Sequence, residues 1–190
     1  MFEQSFGRAL AAVTLIGALG STGAVVPTEP QSPPGRQYSH GGLEIDLPGD
    51  WQLVSDSEPW YLTFRSATTP GDIVFIVRLP FSDRSYFGSF ESFAKRQLRK
   101  VKGLRDVKHL KVSGLDAVSF SQLRDAMFRP GLRIEIRETW IGVPDGPTSG
   151  TVFRFYTSVE PSGPQREAKL IVYERMLASM RIDPETIHQQ

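Results

Sequence analysis

One short pattern in the sequence has the residue types and spacing of acyl-transfer chemistry. Ser92-Phe93-Ala94-Lys95 places a serine and a lysine one helical turn apart, where a lysine amine can take the proton of a serine nucleophile. That chemistry also needs a second proton shuttle and an oxyanion site, and the chain has neither the Ser-Asp-Asn nor the Lys-Thr-Gly partner motif. We therefore interpret Ser92 and Lys95 as the solvated face of a helix. The sequence predicts no catalytic residues, and a serine/lysine hydrolase is kept as an alternative.

Metal and cofactor chemistry find no support in the side chains. The histidines His40, His109 and His188 lie in different segments, and none has a carboxylate or a second histidine four residues later on a predicted helix. The chain has no cysteine, so thiolate ligands and disulfides are excluded. Glycine-rich phosphate-binding patterns are also missing. We predict no metal site and no cofactor.

The charge balance argues against a nucleic-acid partner. The 190 residues contain 22 Lys+Arg and 21 Asp+Glu, which gives a formal net charge of +1. Nucleic-acid binding needs a strongly basic face. One local group of charges has two interpretations. Arg133, Glu135 and Arg137 share a strand face, either as a solvated surface with cross-strand ion pairs, which we favour, or as an anion- or partner-binding stripe. Arg65 or Arg154 would join that stripe in the second interpretation.

Two apolar loops are the other candidate contact surfaces. Met127 and Phe128 precede Arg129 at the tip of a predicted hairpin. The segment 81–87 contains Phe81, Tyr86 and Phe87. Large apolar side chains flanked by charges are a common form of protein contact surface, although they can also fold back over the core. We predict that both loops contact a partner.

Alternation of apolar and polar residues predicts a fold rich in strands. The predicted strands cover 43–47, 60–65, 73–77, 115–123, 132–143 and 151–159, with 109–112 as a short optional strand. Helical spacing of apolar residues predicts helices over 89–102 and 165–180. Strands in sequential runs, interrupted by helices, predict an α+β fold with a mostly antiparallel sheet flanked by helices.

The segment Gly42 to Trp51 marks the beginning of the folded unit. Leu43, Ile45 and Leu47 are predicted to face a core, and Trp51 to cover a sheet edge. Asp46 and Asp50 have no acid, histidine or metal-ligand partner at a useful spacing. We interpret both aspartates as solvated residues.

The first residues differ in composition from the rest. Residues 1–26 contain an apolar run without charges, typical of a signal peptide, with an uncleaved anchor as the alternative. Residues 27–37 are rich in proline and form a predicted linker. A single domain is expected over 38–184, followed by a tail over 185–190. These segments predict a secreted or periplasmic protein with no stable membrane span after cleavage.

Four short motifs resemble the PsbP/Mog-like domain. They are the glycine-led strand ending at Leu47-Pro48 with Trp51 after it, the helix start Ser89 to Ala94, the turn Ser113 to Ala117, and the closing segment Met176 to Arg181. The resemblance implies an α/β/α sandwich around an antiparallel sheet. It also implies a mainly non-catalytic group: photosystem II extrinsic subunits, a nuclear Ran-binding protein and exported bacterial proteins.

The function expected from these observations is non-enzymatic. We predict an exported protein-interaction or accessory domain of the cell envelope, with a protein or envelope component as its partner. The alternative is a small-molecule or lipid carrier with a pocket between sheet and helices, lined by Trp60, Phe64, Trp140 and Phe155.

Overall fold

The computed structural model describes residues 35–58, 61–69, 71–81, 89–126, 129, 131–146 and 149–188. These residues belong to one compact unit that spans Ser32–Gln190. The predicted signal peptide, and the predicted linker up to residue 34, lie outside the described residues. The domain boundaries proposed from the sequence therefore stay a prediction.

Strands make up most of the described chain. They are β1 (Arg36–His40), β2 (Leu43–Leu47), β3 (Trp51–Glu58), β4 (Tyr61–Ser66), β5 (Ile73–Phe81), β6 (Leu104–Val112), β7 (Leu115–Asp125), β8 (Arg133–Pro144), β9 (Gly150–Val159) and β10 (Arg181–Ile182). The helices are α1 (Phe90–Leu98), α2 (Arg166–Ser179) and α3 (Pro184–His188).

Seven strands form one antiparallel sheet in the order β3-β4-β5-β9-β8-β7-β6. A second sheet of three antiparallel strands has the order β1-β2-β10. The predicted hairpin between the two longest strands is present as β7 and β8. The apolar run 73–77 predicts a central strand covered on both faces; β5 does lie inside the large sheet, but only one face is buried, because Val74 and Ile76 are buried and Phe75 and Val77 are half-buried. The predicted α+β class, with a mostly antiparallel sheet flanked by helices, is confirmed.

The elements that the sequence did not predict are the polar ones. Strand β1 exposes most of its side chains, and β6, predicted only over 109–112, is nine residues long and largely exposed. A register shift after Arg105, with Asp106 at a φ of 52°, interrupts the alternation in β6. Helix α3 occupies the predicted tail, and its Ile187 is fully buried. Strands β3 and β10 were also unpredicted, because edge strands carry little apolar alternation.

One side of the large sheet is covered by α2 together with the small sheet. The core on this side contains Phe64 and Phe155 from the large sheet, Leu43 and Ile45 from β2, and Tyr173 from α2. The Tyr173 hydroxyl donates a hydrogen bond to the Phe155 carbonyl oxygen at 3.0 Å. Burial raises the pKa of Tyr173, so the phenol keeps its proton and remains a donor. We call this side of the sheet the α2 side.

On the opposite side, the α1 side, α1 is the one helix of the described chain that packs on the sheet. Phe90 and Leu98 of α1 pack with Phe120 and Trp140 of the sheet. The helix begins after Ser89, whose hydroxyl accepts a hydrogen bond from the Ser92 backbone N–H at 3.2 Å. A Cβ built on Gly142 of β8 would lie 2.3 Å from the Phe90 ring. Glycine at this position therefore allows α1 to lie directly on the sheet backbone.

The predicted start of the domain is correct in its apolar residues and wrong in one aspartate. Leu43 and Leu47 are buried, and Trp51 begins the edge strand β3 with 6% of its surface exposed. Asp46 is exposed, as predicted. Asp50 is not a solvated residue without partners, because its carboxylate accepts hydrogen bonds from the Ser66 and Thr68 hydroxyls at 2.5 and 2.7 Å.

Replacing Trp51 with alanine is expected to destabilise the domain. Removal of a buried aromatic side chain leaves a cavity and should lower the free energy of unfolding by about 3–5 kcal/mol. The matched control is Val54→Ala in the same strand, since Val54 is 46% exposed; its effect should stay below about 0.5 kcal/mol. Chemical denaturation monitored by circular dichroism measures both. Equal losses for the two variants would contradict the assignment of Trp51 to the core.

Asp50 should make stability depend on pH in the acid range. Hydrogen bonds from Ser66 and Thr68 lower the pKa of Asp50 below its ordinary 3.8. The ionised carboxylate therefore stabilises the fold above pH 3.8, and this contribution is lost as the pH falls through the lowered pKa. Unfolding at several pH values should show that the stability gap between wild type and Asp50→Asn closes on acidification. Asp46→Asn is the control, and a pH-independent gap for Asp50→Asn would refute this role.

Candidate functional site

The described residues cover the α1 side of the large sheet only in part. Helix α1 packs against β7 and β8. Side chains of β5 show the consequence, since Val74 and Ile76 on the α2 side are buried, whereas Phe75 and Val77 on the α1 side are half-buried. Leu79, next on the α1 side of β5, is 42% exposed. We call the α1-side surface of β4, β5 and β9 the open half of the sheet.

Three aromatic rings from three neighbouring strands form a row on the open half. The ring centroids of Tyr61 and Phe75 are 5.8 Å apart, and those of Phe75 and Tyr156 are 4.9 Å apart in a stacked arrangement. The hydroxyl oxygens of Tyr61 and Tyr156 lie 3.4 Å apart. Such rings supply apolar area together with a polar edge, a combination typical of binding surfaces.

Beside the aromatic row, a buried carboxylate holds an arginine in place. Glu138 of β8 is only 1% exposed, and its Oε1 accepts hydrogen bonds from Trp140 Nε1 and from Arg154 Nε, both at 2.5 Å. Strand register places Trp140 opposite Arg154 and Glu138 opposite Tyr156. The guanidinium carbon of Arg154 lies 5.8 Å from the centre of the Tyr156 ring. The arginine is thus fixed by a hydrogen bond and by a cation–π contact.

The surroundings of Arg154 and Tyr156 keep the first side chain cationic and the second neutral. Burial alone would lower the pKa of Arg154, but the hydrogen bond and the charge of Glu138 raise it above the usual value. Burial and the hydrogen bond to Tyr61 raise the pKa of Tyr156 well above its usual value. Arg154 therefore stays cationic and Tyr156 stays a neutral phenol at physiological pH.

The chemistry available to this group is binding rather than proton transfer. Arg154 uses only its Nε for Glu138, and within the described part of the chain its two Nη nitrogens make no hydrogen bond. Its side chain is 36% exposed. The site therefore presents oriented N–H donors next to an aromatic surface, an arrangement suited to a ligand that carries hydrogen-bond acceptors.

The stripe predicted on β8 does not form the solvated surface that we favoured from the sequence. Glu135 is buried and pairs with Arg166 of α2, with Nε to Oε2 at 2.9 Å and Nη2 to Oε1 at 3.0 Å. Its partner thus comes from a helix and not from a neighbouring strand. Arg133 is exposed, and Arg137 is half-buried with no described hydrogen-bond partner for its Nε. Partner binding by Arg133 and Arg137 stays a prediction.

The predicted contact loops are described only at their margins. Arg129 is exposed beside the β7–β8 hairpin, and Phe81 is the last residue of β5. The remaining members of the two loops lie outside the described residues: Tyr86, Phe87, Met127 and Phe128. The structure therefore does not test contact by these loops.

Ser92 and Lys95, the pair considered for catalysis, lie on α1 without contacting each other through a described hydrogen bond. Ser92 lies in the first turn of α1, where its hydroxyl accepts a hydrogen bond from the Ser89 hydroxyl at 3.0 Å. Lys95 is exposed on the same helix, and no described hydrogen bond joins it to Ser92. Among the described residues, no group of three or more His, Asp or Glu side chains is arranged to hold a metal ion.

The pocket proposed for a carrier function is contradicted by the structure. Phe64 and Phe155 are fully buried in the core of the α2 side, whereas Trp140 packs in the core of the α1 side. The sheet lies between them, so these residues cannot line one cavity. Trp60 lies outside the described residues.

Sequence reasoning named Arg154 only as a further member of the stripe on β8, and it missed Glu138 and the pairing of the two side chains, although a signal was present. Glu138 occupies the same face of β8 as Ile136 and Trp140, so a charged residue stands where the alternation calls for an apolar one. Arg154 interrupts the apolar strand β9 in the same way. Two charges of opposite sign in the apolar phase of neighbouring strands indicate a buried pair.

Solved structures with a similar fold were found. A Bacteroides thetaiotaomicron protein superimposes with a TM-score of 0.52 at 14% identity, covering 78% of this chain and 48% of its own, so this chain spans about half of that protein. LpqN of Mycobacterium tuberculosis, described as involved in cell envelope biogenesis, gives 0.53 at 14% identity and covers 79% and 91%. The cyanobacterial PsbP of Synechocystis gives 0.40 at 16% identity and covers 88% and 100%.

These likenesses concern the fold alone. The predicted α+β fold is confirmed, and the structures found include a PsbP, the group named by the resemblance in the sequence. No family model matches the chain. No curated protein matches it either. Among the described residues, no helix has the length and apolar character needed to cross a membrane.

The Glu138–Arg154 pair can be tested by the stability of variants. Arg154→Met should leave the buried Glu138 without its counter-charge and lower the free energy of unfolding by about 2 kcal/mol, below the value for a fully buried pair because Arg154 is partly exposed. Adding Glu138→Gln to this variant should recover part of the loss. Urea denaturation measures all the variants.

The matched control is the exposed ion pair Lys111–Asp116, whose charged atoms lie 2.7 Å apart. Lys111→Met should change stability by less than about 1 kcal/mol, since exposed pairs contribute little. If Arg154→Met costs no more than Lys111→Met, Glu138 does not depend on Arg154 for compensation.

Proposed function

We propose that this domain is a non-enzymatic interaction module, working outside the cytoplasm, that binds a protein partner through the open half of its large sheet. One observation carries the proposal. The α2 side of β5 is buried. The α1 side, in contrast, presents the half-buried rings of Phe75 and Tyr156 and the Arg154 guanidinium, which Glu138 already holds in place.

The composition of the open half supports protein binding. Tyrosine, phenylalanine and arginine are the residue types enriched in the cores of protein interfaces. Tyr61, Phe75 and Tyr156 contact one another in the unbound chain, and Arg154 is held by a hydrogen bond at 2.5 Å. Side chains that are ordered before binding lose little conformational entropy when a partner arrives, which favours affinity.

An extracytoplasmic location is supported by two independent observations. The apolar, uncharged run within residues 9–26 has the composition of a secretory leader. The similarly folded LpqN is described as involved in cell envelope biogenesis. We also propose partner contact by the loops containing Phe81, Tyr86, Phe87, Met127 and Phe128, with Arg129. Arg133 and Arg137 share the face of β8 that carries Glu135, on the α2 side, and are kept as a separate contact candidate.

Site-specific photocrosslinking tests which surface meets the partner. A benzophenone amino acid at Leu79, which is 42% exposed beside the aromatic row, should give adducts of discrete mass in cells of the source organism. The matched position is Ile171 of α2, which is 60% exposed on the other side of the sheet and should give none. Both sites tolerate a bulky side chain because both are exposed.

Mass spectrometry of the adducts then identifies the partner. Adding Tyr156→Ala to the Leu79 probe should reduce the yield of the same adduct, because the neighbouring contact surface is lost. Equal crosslinking from Leu79 and Ile171, or no crosslinking from Leu79, would contradict the assignment of the open half as the interface.

A further inference from the structure

Arg154 has a combination of contacts that its structural role does not require. If the guanidinium served only to neutralise Glu138, a two-point contact that used both Nε and an Nη nitrogen would satisfy it best. The pair instead uses Nε alone, at 2.5 Å from Glu138 Oε1. Among the described residues, nothing accepts a hydrogen bond from the two Nη nitrogens, and the edge that they form matches the two oxygens of a carboxylate.

We infer that Arg154 anchors a carboxylate-binding site on the open half, where an acidic side chain of a protein partner accepts hydrogen bonds from the two Nη nitrogens while an adjacent apolar group of that partner packs on the row Tyr61–Phe75–Tyr156. This inference rests on the proposed function. It names the chemistry that the interface would recognise.

The role of Glu138 explains why the site would select a carboxylate in this context. Glu138 cancels the charge of Arg154, so the site has little long-range attraction for simple anions. Affinity then depends on hydrogen-bond geometry and on apolar contact, which inorganic anions lack. The orientation of Arg154 is already fixed by Glu138 and by Tyr156, with 5.8 Å between the guanidinium carbon and the ring centre.

The aromatic row supplies the second half of the recognition. Phe75 lies between the two tyrosines, with centroid separations of 5.8 and 4.9 Å. The raised pKa of Tyr156 keeps its hydroxyl protonated, so no tyrosinate charge repels an acidic ligand. An acidic residue beside an aromatic or aliphatic residue in a partner segment is therefore the expected ligand.

A matched pair of small probes separates the two contributions. N-acetylphenylalanine carries a carboxylate beside an aromatic ring, and N-acetylphenylalanine amide differs only by the missing charge. Arg154 Nε–H and the Trp140 indole N–H share Glu138 Oε1, so both signals in a ¹⁵N–¹H spectrum report on the site. The carboxylate probe should shift both signals saturably, and the amide should bind at least about tenfold more weakly.

Variants give the specificity control. Arg154→Lys keeps a cation for Glu138 but loses the planar fork, and should weaken binding of the carboxylate probe about tenfold, read at the Trp140 indole. Arg105→Lys is the matched control, because Arg105 is exposed on β6, at the edge of the large sheet away from β4 and β5; this variant should bind as wild type. If Arg154→Lys does not fold, Tyr156→Leu provides the test and should also weaken binding.

Several results would overturn the inference. They are the absence of a saturable shift, equal binding of probe and amide, unchanged binding by the variants, or equal competition from inorganic phosphate, which would indicate a general anion site. Failure here is distinguishable from failure of the proposed function. A specific crosslink from Leu79 without carboxylate binding would support the open half as the interface and exclude a carboxylate as its ligand. Carboxylate binding without a crosslink would support the carboxylate site and contradict the open half as a protein interface.

Discussion

A single carboxylate oxygen organises the α1 side of this domain. Glu138 lies almost fully buried in the centre of the sheet, where an unpaired charge would be strongly destabilising. Its Oε1 accepts hydrogen bonds from Trp140, which belongs to the core beneath α1, and from Arg154, which faces the open half. The hydrogen bonds that compensate the buried Glu138 charge therefore connect Trp140, under α1, with Arg154, on the open half.

Within the described part of the chain, the open half remains uncovered because helix α1 is short compared with the sheet. Nine helical residues span about 13 Å, and a helix with its side chains is about 10 Å wide. Seven strands at about 4.8 Å spacing extend over about 29 Å. One such helix cannot cover that width. On the α2 side, a helix of 14 residues and the three-stranded sheet together cover the large sheet.

The sequence predicts the parts of the fold that follow local patterns. Strands with clear alternation, such as β2 and β8, and the helix that begins after Ser89 could be placed from residue periodicity and capping alone. Strands β1 and β6 could not, because their side chains are mostly exposed and polar. Asp50 was misinterpreted because Ser66 and Thr68, its partners, come from the end of the neighbouring strand and the turn after it.

The pairing of Glu138 with Arg154 and the aromatic row were missed for the same physical reason. Glu138 and Arg154 are 16 positions apart, and only the antiparallel pairing of β8 with β9 brings them together. Tyr61 and Tyr156 are 95 positions apart and meet through the order of the strands in the sheet. The residue types along the chain show that a charged residue occupies a strand position where the alternation predicts an apolar one. They do not show which partner compensates it.

Hydrogen exchange at the Arg154 guanidinium tests most directly whether Glu138 holds this side chain through Nε alone. The exchange is followed by NMR on the ¹⁵N-labelled protein without a ligand. The Nε–H that donates to Glu138 should exchange slowly and become fast in Glu138→Gln, while the Nη protons should exchange rapidly in both proteins. Slow exchange of the Nη protons in the wild type would mean that the binding edge is already occupied, and it would contradict the central claim.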